Sequence, residues 1–365
     1  MLGEEGNLAE EGALFSFLEN DDVEKLTKEF ENGLDVNQQF FWYLGDLPPL
    51  LTNSPPLISV AAFFKAVKCY HSLVDNGADI EKCDEQGVPV AWFAIAGGSM
   101  EIIEDLDNRG IDFNRTLQVA AEYGHHEVFV WLHEKKSFDL GEKDEYGRTF
   151  LHIAAASGNT DLVQFLIEHG LDVNEIDGVC LWLRLSLDVL WSLLFVYWTP
   201  IHFAVEKRQH AVVRLLLEQP RINANCKDFV FESKKLMWHE FGNCMPLHHA
   251  VHNGDLEMVN LLLESPKVDP NCKDVDGRTP LQLAAMSGNK EIVSAILKRP
   301  GIDVLSKGHD GVFHFLIELP LISQKTVKYA TCFLVMGQDM DVSFYKPLSV
   351  LTNKSFNHYI FYRVS

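Results

Sequence analysis

The sequence predicts an all-α solenoid of stacked helix–turn–helix repeats joined by β-hairpins or loops, and three observations predict it. A 19-residue block recurs: TFLHIAAASGNTDLVQFLI at 149–167, TPIHFAVEKRQHAVVRLLL at 199–217, MPLHHAVHNGDLEMVNLLL at 245–263 and TPLQLAAMSGNKEIVSAIL at 279–297. Copies are followed by a polar or glycine stop and a D-V-N-like segment: GLDVN at 170–174, RINAN at 221–225 and KVDPN at 267–271. The upstream half carries the same period more faintly, with Gly77 and Gly110 placed 33 residues apart in SLVDNGADI and IIEDLDNRGIDFN. A prior of about 150 residues per domain would divide 365 residues into two or three domains, but a repeat makes the length one array.

Each part of a unit has a physical reason. Thr suits a helix N-cap, and Pro at the first helical position loses an N–H that has no partner there anyway. The Leu-x-x-Ala-Ala that follows predicts a short helix whose small residues let a neighbour come close. Gly-Asn breaks it. A second helix then carries Leu162, Val163, Leu166 and Ile167 at helical spacing, and Gly170 is placed to end it in a left-handed conformation. A pair this short cannot bury its own apolar face, so it must stack on others.

Along the chain, 1–37 reads as an acidic N-terminal segment with a degenerate capping repeat. Residues 38–57 read as an aromatic and proline-rich insert, 58–342 as the repeat array and 343–365 as a C-terminal tail. Three segments exceed the period. Gly33 to Gly77 spans 44 residues and contains FFWYLGDLPPLLTNSPPL at 40–57, which predicts a long loop. Thr149 to Thr199 spans 50, the excess being VCLWLRLSLDVLWSLLFVYW at 179–198. The third excess is FVFESKKLMWHEF at 229–241. The second is long and apolar enough to cross a bilayer, yet a span there would put two halves of one array on opposite sides of a membrane. Removing 179–197 leaves Asp177-Gly178-Trp198-Thr199-Pro200, close to Asp276-Gly277-Arg278-Thr279-Pro280. This segment therefore reads as an addition to the repeat design, such as translated intron sequence.

At these residues the chain resembles the ankyrin-repeat family, clearly over 144–304 and more faintly upstream. About eight or nine units, including a decayed copy near 327–342, account for most of the length. The resemblance implies helix–turn–helix pairs with projecting hairpins, and no catalysis. It also implies that His152, His202 and His248 bridge neighbouring hairpins through hydrogen bonds. It assigns partners to hairpin tips and first helices on the concave side. In this chain those positions are Glu85, Gln86, Val88, Glu122, Tyr123, Glu145, Tyr146, Arg148, Glu206, Lys207, His252, Asn253, Val275, Asp276 and Arg278. Asn114, Asn174, Asn225 and Asn271, each eight residues after a leucine, resemble asparagine-hydroxylation sites of such repeats, a spacing that the repeat alone also produces.

No phosphate loop, G-x-G-x-x-G, nucleophile elbow, kinase signature or H-E-x-x-H is present, so the expectation is no enzyme, no cofactor and no small-molecule substrate. Cys244, His248, His249 and His252, with His239 upstream, are the one cluster with metal-ligating chemistry. Structural histidine is the reading adopted, and no metal is expected. Cys226 and Cys272 share a register in two N-C-K-D segments and read as buried thiols in place of a small residue. Seven cysteines without a C-x-x-C pair, and no secretory signal at the start, predict reduced thiols and a cytoplasmic setting, with the nucleus left open.

Charge sets the partner class. With 31 basic and 52 acidic residues the formal net charge is −21, which repels nucleic acid and anionic membrane surfaces. The sequence-based reading is a non-catalytic scaffold or adaptor for a basic or mixed-charge protein. Its alternatives are a membrane-tethered adaptor using 179–198 and a regulatory or inhibitory subunit of an enzyme.

Overall fold

The computed structural model describes residues 4–40, 48–178, 197–228, 243–304 and 306. Residues 179–196 and 229–242, the copy near 327–342 and the tail 343–365 lie outside the described residues. The described residues form sixteen α-helices. They divide into two compact units, one ending at residue 236 and one beginning at 237.

The first unit opens with α1 (Glu4–Glu19) and α2 (Val23–Glu31), followed by a 3-10 turn at Pro49–Leu51. Next come α3 (Leu57–Phe63) with α4 (Val67–Asp75), and α5 (Val90–Gly97) with α6 (Met100–Asn108). They are followed by α7 (Thr116–Glu122) with α8 (His126–Lys136), α9 (Phe150–Ser157) with α10 (Thr160–Glu168), and α11 (Pro200–Glu206) with α12 (His210–Glu218). The second unit holds α13 (Pro246–His252) with α14 (Leu256–Glu264) and α15 (Pro280–Met286) with α16 (Lys290–Leu297).

First helices pack on first helices: α1 on α3, then α5, α7, α9 and α11 in the first unit, and α13 on α15 in the second. Small residues make this possible. Ala61, Ala91, Ala94, Ala120, Ala121, Ala154, Ala155 and Ala204 are buried where the helices meet. The second helices contribute the larger aliphatics, such as Leu162, Val163 and Leu166 in α10 and Ile292, Val293 and Ile296 in α16. Burying each such side chain is worth about 1.5–3 kcal/mol. Gly170 ends α10 at φ +88°, as its position after the helix predicted.

Where hairpins were expected, no strand forms among the described residues; isolated bridges join Gln39 to Pro56 and Lys143 to Thr149. An aspartate takes the place of the second strand, as shown below, because its carboxylate accepts the amide hydrogens that a ladder would otherwise use.

Neighbouring repeats in each unit are tied by recurring side-chain bonds. His152 accepts the Thr149 N–H on Nδ1 at 3.1 Å, so Nε2 carries the proton and donates to the Trp198 carbonyl at 3.0 Å. His248 repeats this with the Met245 N–H and the Arg278 carbonyl. Gln282 does the same with an amide, accepting from the Thr279 N–H at 2.7 Å and donating to the Ser306 carbonyl at 2.7 Å. The bridging role implied by the resemblance is therefore present at His152 and His248.

The D-V-N asparagine forms another tie. Asn174 donates to the Arg221 carbonyl at 2.8 Å and accepts from the Asn223 N–H at 2.7 Å, and Asn271 makes the same pair with Gly301 and Asp303. Asn174→Ala removes two partly solvated bonds. It is expected to cost about 1–2 kcal/mol in urea unfolding, with the cost confined to the first unit.

A further tie begins at the N-terminus of the second helices. His125 donates to the Ala96 carbonyl at 2.8 Å, Asn159 to the Gly124 carbonyl, and Gln209 to the Ala156 carbonyl at 3.0 Å. Three residue types perform one task.

Candidate partner-binding face

The turns between repeats share one frame. In the turn at 144–148, Asp144 Oδ1 accepts the N–H groups of Tyr146 at 2.9 Å and Arg148 at 2.8 Å, and the Asp144 N–H donates to the Arg148 carbonyl at 3.0 Å. Asp274 holds Asp276 and Arg278 in the same way. Asp84 holds Gln86 and Val88. The residues between aspartate and closing residue are pushed outward: Glu85, Gln86, Glu145, Tyr146, Val275 and Asp276 are all exposed.

The same frame closes across the apolar insertion. Asp177 Oδ1 accepts the Trp198 N–H at 2.6 Å, and the Asp177 N–H donates to the Trp198 carbonyl at 2.9 Å. Asp177 thus matches Asp144 and Asp274, with Trp198 in the place of Arg148 and Arg278. This corrects the register that set Asp177-Gly178 against Asp276-Gly277. The ordinary turn has three residues inside the bracket, so excising 179–197 would leave it two residues short. Burial pushes the Asp177 carboxyl up to about 6, with the Trp198 N–H opposing that rise.

In two turns the closing residue is an arginine that pairs with the other carboxylate oxygen. Arg148 Nε meets Asp144 Oδ2 at 2.6 Å, and Arg278 Nε meets Asp274 Oδ2 at 2.8 Å. Arg278 also reaches Asp276 at 2.6 Å and is only 8% exposed, so it shapes its turn rather than presenting itself to a partner. Arg148 is half-buried, reaches Glu122 at 3.6 Å and lies 5.2 Å from the Tyr146 ring centroid.

The remaining predicted positions are the C-terminal ends of the first helices. Glu122 and Lys207 are exposed at the ends of α7 and α11, and His252 is exposed at the end of α13. Glu206, Asn253 and Val88 are half-buried. Tyr123 is also half-buried. Its ring stands edge-on to Phe63 at 5.9 Å, and burial raises its phenol above the ordinary range. It continues a row of edge-to-face rings running from Phe40 through Phe15 and Phe64 to Phe63. Tyr146 is 39% exposed and Val275 42%, so the turn tips in each unit offer an apolar group beside acidic ones.

The buried thiols are chemically quiet. Burial pushes Cys69 up to about 12 and Cys226 up to about 11, and it raises Cys272 as well. Cys226 lies 3.1 Å from the Thr199 hydroxyl and 3.8 Å from His202 Nδ1, and Cys272 lies 3.7 Å from His248 Nδ1, so each thiol packs beside a buried histidine. Among the described residues no helix is long and apolar enough to cross a membrane.

Comparison with known proteins gives the same picture. A family model described as ankyrin repeats (3 copies) matches residues 117–228 and 233–308. Alpha-latrocrustotoxin of Latrodectus tredecimguttatus is 34% identical over 110 residues, covering 28% of this chain and 8% of the toxin. Human BCL-6 corepressor-like protein 1 is 41% identical over 58 residues, which is 16% of this chain and 3% of that protein. A putative ankyrin repeat protein of Fowlpox virus is 27% identical over 184 residues, 45% of this chain and 30% of its own. The chain thus spans only a small part of the length of the curated relatives it matches.

Proposed function

Because the chain belongs to the ankyrin-repeat family, we propose that it is a non-catalytic scaffold or adaptor that captures a protein partner on its turn tips and the adjoining ends of its first helices. The observation that carries this reading is the turn frame. In each case one aspartate oxygen accepts two backbone N–H groups of the turn, while Glu85, Gln86, Glu145, Tyr146, Val275 and Asp276 stand in solvent. Such a surface is rigid before it binds, so little ordering entropy is lost on association. Its exposed acids, within a chain of net charge −21, favour a partner with basic character, and the cytoplasm is the setting we propose.

The structure also selects the residues for a test. Tyr123 packs on Phe63 and Arg148 holds Asp144, so replacing either disturbs the fold. Glu145, Tyr146 and Lys207 are exposed, and Tyr146 meets Glu145 and Arg148 within its own turn without packing on another repeat's ring as Tyr123 does. Alanine at all three is expected to lower partner capture from lysate at least tenfold while moving the melting temperature by no more than about 2 °C. Undiminished capture by the triple variant contradicts this face.

A further inference from the structure

The Asp84 turn differs from those of Asp144 and Asp274 in one respect. In the turns at 144–148 and 274–278 the second carboxylate oxygen is met by the Nε–H of an arginine four residues on. In the turn at 84–88 that position is Val88, and Asp84 Oδ2 is buried with no hydrogen-bond partner among the described residues. Asp84 is 6% exposed, so this is a desolvated carboxylate oxygen lacking the cation that Asp144 and Asp274 have. A buried acceptor without a donor is costly to a fold, and one bearing charge more so.

The surroundings are already fixed. Asp84 Oδ1 is used by the Gln86 and Val88 N–H groups, while Gln86 Nε2 donates to Asn53 Oδ1 at 3.0 Å and the Glu85 N–H donates to the Asn53 carbonyl. Glu85 and Gln86 are exposed at the rim and Val88 is half-buried. Among the described residues no lysine, arginine or histidine side chain bonds to this carboxylate. The missing component is the planar cation that Arg148 and Arg278 supply at the corresponding position.

We propose that the Asp84 turn takes an arginine side chain from the protein partner, which completes in trans the pair that Arg148 and Arg278 make in cis. This rests on the reading of the turn tips as the partner face and names the group recognised there. Arginine fits better than lysine because both internal examples use the Nε–H, a donor lysine does not have, and spread the guanidinium over the turn. Glu85 at the rim adds attraction for the same charge.

The test uses the isotope-labelled full chain, with an acetylated, amidated tetra-arginine peptide and its tetra-lysine counterpart as probes. Saturable amide shifts at Gln86 and Val88 are expected with the arginine peptide, with roughly fivefold weaker binding of the lysine peptide. Val88→Arg fills the site from within and is expected to abolish those shifts while raising the melting temperature. Asp84→Asn keeps the Oδ1 acceptor and is expected to lose peptide binding at this turn without losing the fold. Equal shifts in the parent chain, V88R and D84N overturn the proposal, since they mean a diffuse attraction to an acidic chain. If binding survives in V88R and D84N but falls in the Glu145, Tyr146 and Lys207 triple variant, the arginine site is wrong and the turn face stands. Survival in all three variants overturns both.

Discussion

Gly97→Ala is expected to destabilise the first unit by about 3 kcal/mol or more. Gly97 closes α5 against the end of α3, and a Cβ there would stand 2.3 Å from the Ala62 carbonyl oxygen and 2.7 Å from that of Phe63. Both obstacles are backbone, so no side chain can swing away. Ala62 and Phe63 belong to the helix on which α5 packs, and relief requires separating the two helices. That separation would open the contact lined by Ala61, Ala62, Ala91 and Ala94. The matching place in α9 is Ser157, whose hydroxyl only returns to the Ala154 carbonyl at 3.1 Å. Ser157→Ala is therefore the control, with an expected change within about 0.5 kcal/mol in urea unfolding.

The second large effect is at His152. Alanine there leaves the Thr149 N–H without its partner and strips the Trp198 carbonyl of one of its two donors, the Asp177 N–H remaining, at a buried joint between repeats, for a cost of about 2–3 kcal/mol. His152→Gln is expected to recover most of it, because Gln282 makes both bonds in the second unit. The two variants also separate a pH effect. Burial holds the His152 imidazole at about 4, below its ordinary 6.5, so the folded chain keeps it neutral while the unfolded chain takes up a proton. Stability from this group is complete above pH 6.5 and is lost as pH falls from 6.5 towards 4, by roughly 1.4 kcal/mol per unit. His152→Gln lacks that proton and should flatten the slope across this window. An unchanged slope would mean that other groups set it.

Much of the fold was legible because the repeat is written in small, periodic signals. Thr149, Thr199 and Thr279 begin helices where Thr-then-apolar strings predicted, and the buried alanines mark where first helices touch. The turn frame was less legible. Asp177 and Trp198 are 21 residues apart, so their equivalence to Asp274 and Arg278 emerges only when the backbone brings them together. Gly178 misled by resembling Gly277. The links made by His125, Asn159 and Gln209 follow no residue type, since any side chain with a donor of the right reach serves. Arg278 read as a surface group because arginine usually is one, whereas two aspartates make its burial tolerable. The unpaired Asp84 oxygen had no signal of its own; what could have revealed it was the comparison of Val88 with Arg148 and Arg278 across aligned turns.

The most direct test of the turn face as the partner surface is site-specific photo-crosslinking in the full chain. One photoreactive residue replaces Tyr146 at a turn tip, and another replaces Gln164, exposed on the second helix α10. Partner crosslinks from position 146 with none from 164 are the predicted result. Crosslinks from 164, or equal yields from both positions, would contradict it.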